Sequence, residues 1–151
     1  MNCSLKLDIN SIVPQSEIEG LKIAAQDAMA VEFYGIVVNN FGEGGGENRP
    51  EEWPDLNPLY ATLKHGGDRT PTLVLTEDLI SSIDQNLGQA EGASVFTDNH
   101  YALDHQFGNP ETNLPARPFF PVVGNENEAQ LTEYAEQKCI AAAQKAIDSR
   151  F

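Results

Sequence analysis

The sequence predicts an α+β domain, a small mixed or antiparallel sheet packed by a long N-terminal helix and a C-terminal helix. Apolar residues recur at helical spacing near both ends, and only short alternating segments lie between them. Size agrees: 151 residues, 40% hydrophobic, suit a single domain over residues 1–151 with a core of its own.

Ser4–Ile9 alternates, with Leu5, Leu7 and Ile9 on one face, as a half-buried strand does. Pro14 breaks the chain, and Ser16 with Glu19 has the capping-box spacing that opens a helix. Along that helix Ile18, Leu21, Ala25, Met29, Phe33, Ile36 and Val37 form one stripe. Ile23, Ala30, Val31, Tyr34 and Val38 form a second. A helix apolar on two sides is covered on two sides, and the expected covers are the domain's own sheet and a neighbouring subunit. Residues 42–58, with Gly42, Gly44, Gly45 and Gly46 and three prolines, read as a long flexible acidic loop around Trp53. That sole Trp fits a packing anchor or an interface side chain equally well.

Leu59–Lys64 permits a short helix ended by Gly66-Gly67, and Thr72–Thr76 alternates weakly. Glu77–Ile83 fits a helical turn, with a strand near Ile83–Leu87. Gly88–Gly92 turns into a second hairpin arm, Ala93–Thr97. Tyr101–Phe107 reads as a helix stopped by Gly108-Asn109-Pro110. After a Pro-rich passage, Leu114–Val123, the last helix is expected from about Glu126 to Ile147. Leu131, Ala135, Cys139, Ala142 and Ala146 share its inner face.

Asp and Glu number 23 against 9 Lys and Arg, a net charge of −14. Every segment is net negative, so the acidity belongs to the whole surface. Such a surface repels phosphate, which argues against sequence-specific nucleic-acid binding and against adhesion to an anionic membrane. No apolar run approaches the roughly 18 residues of a membrane span. Met1–Lys6 carries a base and no apolar stretch, so no signal peptide is expected. Cys3, near a terminus expected to be mobile, and Cys139 have no metal-ligand spacing and read as ordinary reduced thiols.

His100 and His105 with Asp98 and Asp104 are the strongest metal or catalytic candidates, the basis of an alternative reading as a small metal-dependent enzyme. On a helix their spacing of five sets the imidazoles roughly 140° apart, unlike a shared-face zinc pair. The glycine run at 42–47 lacks the Gly-Lys-Ser/Thr of a phosphate loop, and its glutamates repel phosphate. Neither Ser81 nor Ser82 lies in a Gly-x-Ser-x-Gly elbow. The expectation is no catalytic residue, no cofactor and no metal. A host-encoded acidic adaptor is a further alternative.

Arg117 is the only Lys or Arg between Arg69 and Lys138, and Pro115 and Pro118 restrict the backbone on either side of it. It suits an ion pair within the domain or a guanidinium reaching a partner's carboxylate. If the segment is extended, Phe119 and Phe120 point to opposite faces, one inward and one to an interface.

Four segments resemble, in order, the phage virion-morphogenesis or tail-completion family, which is tail terminator-like and of the type found in Mu-like prophages. Trp53–Lys64 resembles its Trp-x-Pro-Leu-x-x-x-Thr-x-x-x-Lys region, and Leu73–Ile83 its Leu-Val-Asp-Thr-Gly…Leu…Ser-Ile segment, with Glu77-Asp78 where the family has glycine. Tyr101-Ala-Leu-Asp-His-Gln-Phe-Gly108 resembles its Tyr-Ala…His-Gln-Phe-Gly motif, and Pro115-Ala-Arg-Pro-Phe119 its Pro-Ala-Arg-Pro-Phe signature. With the long helix before them and the helix after them, the resemblance covers roughly residues 16–148. The resemblance implies a non-enzymatic structural protein of the tail end, built during virion morphogenesis in the host cytoplasm and retained in the virion tail. It implies a ring-like homo-oligomer, hexameric in several relatives, touching tail tube or sheath and head-neck proteins. Trp53, Tyr101, Gln106, Phe107, Arg117, Phe119 and Phe120 are the expected interface residues.

Overall fold

The computed structural model describes residues 1–5, 15–42, 49–64 and 78–151. Its elements are β1 (Asn2–Leu5), α1 (Gln15–Asn39), α2 (Pro58–Lys64), α3 (Asp78–Ser81), β2 (Ile83–Asn86), β3 (Ala93–Thr97), α4 (Ala102–Phe107), β4 (Val122–Val123), β5 (Gln130–Leu131) and α5 (Glu133–Asp148). The class is α+β: a small antiparallel sheet packs against the long N-terminal helix, which packs in turn on the C-terminal helix.

The main sheet has the order β1-β3-β2, antiparallel throughout. The central strand alternates as a one-sided strand must, burying Ala93, Val95 and Thr97 and leaving Ser94 and Phe96 half-buried. Register places Leu5 opposite Ala93 and Ile83 opposite Thr97, so the apolar residues of all three strands share the inner face. The hairpin turn between β2 and β3 takes positive φ at Gly88 (74°) and Gly92 (138°). It is tied to α1 by the Gly88 N–H, which donates to Asp27 Oδ1 at 2.8 Å. Cys3 pairs with Val95 within the sheet, so the expected mobile terminus is a strand instead. The remainder of the expected first strand, the Thr72–Thr76 segment, the Gly66-Gly67 stop and the glycine run at 43–48 lie outside the described residues.

Helix α1 buries Ala25, Gln26, Ala30, Phe33, Ile36 and Val37. The sheet is one of its covers. The second, expected from a neighbouring subunit, is α5 of the same chain. Of the second stripe only Val31 is exposed. Close approach is possible because the buried face of α5 is Ala135, Cys139 and Ala143, one small residue per turn. Cys139 Sγ reaches the Met29 carbonyl at 3.6 Å. Burial pushes the Cys139 thiol up to about 12 and the Cys3 thiol up to about 11, so both stay protonated and unreactive near neutrality.

α5 starts later than the sequence suggests. Residues 124–129 are the turn of a second hairpin, in which Val122 pairs with Leu131 and Val123 with Gln130. Asn125 Oδ1 accepts from the Asn127 and Glu128 N–H groups at 3.0 and 3.1 Å, satisfying locally the donors a helix would have used. The helix begins at Thr132, whose Oγ1 accepts from the Ala135 N–H at 3.3 Å. Glu133 and Glu136 lie in its first turn and Lys145 in its last, each complementing the helix dipole.

Gly124 makes the second hairpin possible. Its φ is 105°, and a Cβ there would collide with the Glu128 carbonyl oxygen. Gly124→Ala is therefore expected to destabilise the fold by about 1–3 kcal/mol, read as a lower urea midpoint at an unchanged slope.

Candidate functional site

Three of the four segments singled out in the sequence meet at one place, where residues 114–121 cross between α4, the end of α1 and residues 49–57. The crossing backbone belongs to no strand until Val122, yet Phe119 and Phe120 are fully buried. Buried peptide groups need partners, and side chains supply them. The Gln106 carboxamide, 2% exposed, works in both directions. Its Oε1 accepts from the Phe119 and Phe120 N–H groups at 3.0 and 2.9 Å. Its Nε2 donates to the Phe120 carbonyl at 3.1 Å. From the other side Asn40 Nδ2 donates to the Phe119 carbonyl and Trp53 Nε1 to the Pro118 carbonyl, each at 2.8 Å.

The aromatic rings extend the same junction into the core. Phe33 packs on Phe120 at 5.6 Å between centroids, Phe120 on Phe119 at 5.2 Å, Phe119 on Phe41 at 5.3 Å, and Phe41 on Trp53 at 5.9 Å. The series runs from mid-α1 to the 49–57 segment in tilted and edge contacts, the geometry aromatic quadrupoles favour. Above Trp53 lies the Arg49 guanidinium, 3.8 Å from the ring centre. Arg49 Nε and Nη2 donate to the carbonyls of Asn40 and Gly42 at 2.7 and 2.8 Å. Asn40 and Arg49 escaped the sequence reading. The spacing Arg49-x-x-x-Trp53 was the available signal for the second, whereas nothing local distinguishes Asn40 from its neighbour Asn39.

The expected interface set lies mostly inside the chain. Trp53, Gln106, Arg117, Phe119 and Phe120 are buried, and Tyr101 and Phe107 are half-buried. For Phe119 and Phe120 the opposite-face argument fails because the segment is enclosed on both sides, so alternation exposes neither ring. Trp53 is a packing anchor, and the described part of the 42–58 loop is fastened through it. Arg117, 4% exposed, donates from Nε and Nη2 to the carbonyls of Pro54 and Asp55 at 3.2 and 3.3 Å. Its N–H donates to the His105 carbonyl at 2.6 Å. The guanidinium thus joins two segments of its own chain.

His100 and His105 do not converge. They flank Tyr101, with centroids 5.0 and 5.6 Å from its ring, both edge-on. Among the described residues no group of three or more His, Cys, Asp or Glu side chains is placed to hold a metal ion. His65 lies outside the described residues. Beside the junction a shallow cleft of about 320 Å³ opens between Pro50, Glu51, Phe107, Ala116, Pro118 and Val123. Among the described residues no helix is long and apolar enough to cross a membrane.

Neither family models, nor curated proteins, nor solved structures give a match to this chain.

Two substitutions test the junction. Gln106→Ala strands two buried N–H donors, while the Phe120 carbonyl keeps the Val122 N–H at 2.8 Å, and is expected to cost about 2 kcal/mol or more at about 1–3 kcal/mol for an unsatisfied group, measured by urea unfolding. Arg117→Ala is expected to lower the stability of the folded chain itself by about 1.5–3 kcal/mol. Arg117→Lys should recover only part of that loss, because an ammonium lacks the fork that reaches both carbonyls. Unfolding followed by Trp53 emission compares the two variants.

Proposed function

We propose that the chain is a non-enzymatic structural subunit of a phage or prophage tail, acting in tail completion or as a terminator at the tail end. The observation that carries this reading is the ordered set of segments resembling that family. Residues of three of them, Trp53–Lys64, Tyr101–Gly108 and Pro115–Phe119, hydrogen-bond to one another or to the backbone beside them. Trp53 bonds to Pro118, Arg117 to Pro54 and Asp55, and Gln106 to Phe119. Segments that build one junction belong to one architectural unit, which supports reading the resemblance as a property of the fold and not of four unrelated short matches.

The working partners are further copies of the chain in a ring, hexameric by the resemblance, and then tail-tube or sheath and head-neck proteins. Contact between copies falls to exposed apolar side chains, since the junction residues are occupied internally. Leu59 and Leu63, one turn apart on α2, are 69% and 71% exposed and are the foremost candidates. The charge of −14 suits a ring that DNA passes through, because an acidic lumen gives phosphates nothing to hold.

Static light scattering and electron micrographs of the purified chain test the ring. The expected result is a closed assembly for the wild type. Leu59→Glu with Leu63→Glu should leave a folded monomer, because both side chains are solvent-facing. A wild-type protein that stays monomeric at high concentration, with and without the tail-tube protein, overturns the reading.

A further inference from the structure

His105 occupies a joint that the tail role does not use. Its carbonyl accepts the Arg117 N–H at 2.6 Å, so α4 and the 114–121 segment are pinned at this residue. Its ring stands edge-on to Tyr101, and its Nδ1 is buried with no hydrogen-bond partner. A neutral imidazole tolerates that site with its proton on Nε2, leaving Nδ1 as an unused acceptor. A protonated imidazole does not, since Nδ1 becomes a buried donor without an acceptor and a second cation appears close to the Arg117 guanidinium.

The surrounding groups act in both directions. On the same helix Asp104 favours the cation, but its Oδ1 is engaged by Asn109 Nδ2 at 3.2 Å. Tyr101 makes edge contacts with both imidazoles, at 5.0 Å from His100 and 5.6 Å from His105. From the crossing segment Arg117 opposes the cation, and beyond Arg117 stand Tyr60 of α2 and the Pro54 and Asp55 carbonyls. Burial first, then Arg117, hold the imidazole below its usual 6.5, with Asp104 working against them.

We propose that His105 is an acid-sensitive latch on residues 114–121: neutral, it lets Arg117, Phe119 and Phe120 close on α4, and protonated, it opens that closure and loosens Trp53. The sign follows from linkage. A group held below its free value binds fewer protons closed than open. The closed form therefore has its full stability above 6.5 and loses it as pH falls through that value towards the lower closed-state value. The loss begins at 6.5, well above the roughly 4 of ordinary carboxylates, so its onset precedes general acid unfolding. The inference does not depend on the tail role.

Trp53 is the only Trp and its indole N–H is bonded to Pro118, so its emission reports the latch. Emission and imidazole proton NMR are followed on the full chain from about pH 8 to about 5. The expected result is a reversible red shift whose midpoint lies below 6.5 and coincides with the His105 titration. His105→Gln should abolish the shift, whereas His100→Gln and His65→Gln should leave it. A His105 titration at or above 6.5, constant Trp53 emission, or the same red shift in His105→Gln overturns the latch. Should that variant not fold, a wild-type emission midpoint that departs from the His105 titration overturns it equally.

Discussion

The Gln106 carboxamide holds together a stretch of chain that has no strand to pair with. Residues 118–120 run through the interior outside any strand, where an unpartnered N–H or C=O costs about as much as a lost hydrogen bond. Gln106 answers two N–H groups and one carbonyl at once, as a neighbouring strand would. Asn40 and Trp53 complete the set from the opposite side. Each partner comes from a different part of the chain, so satisfying this short stretch forces α4, the end of α1 and residues 49–57 into fixed relative positions.

Apolar packing follows from that polar frame. With the backbone fixed, Phe119 and Phe120 enter the core and meet Phe33 of α1 and Phe41 just beyond its end. Trp53 closes the series and sits beneath Arg49, whose donors go to the carbonyls just beyond the end of α1. In a chain this acidic, two of the few guanidiniums are spent on carbonyl oxygens inside the molecule. Arg49 and Arg117 thus act as connectors, their planar forks each gathering two main-chain oxygens.

The elements were legible because their signals are local. Helical spacing marked α1, alternation with glycine punctuation marked the β2–β3 hairpin, and Gly108 with φ of 77° ended α4 where a stop was expected. α5 starts later than the helical spacing suggests because Asn125 closes a turn with its own side chain and Val122 pairs with Leu131. Gln106, Arg117, Phe119, Phe120 and Trp53 were expected at an interface, whereas the fold buries them and joins them to one another, and neither their burial nor their connection was legible. Burial depends on what lies on the far side of a segment, and alternation describes only the segment itself.

By itself the sequence determined the fold class, the order of the described elements as far as α4, the uniform acidity, and the set of residues worth following. Those properties are carried by neighbours within a few positions, or by totals over the chain. Only the tertiary structure decided that the second cover of α1 is α5, that Trp53 is an anchor, and that Arg117 binds carbonyls of its own chain. It also brought both histidines edge-on to one tyrosine. Each of these turns on contacts between residues tens of positions apart, such as Arg117 with Pro54, Trp53 with Pro118 and Asn40 with Phe119. Hydrogen-bond geometry between such segments exists only once the chain has closed on itself.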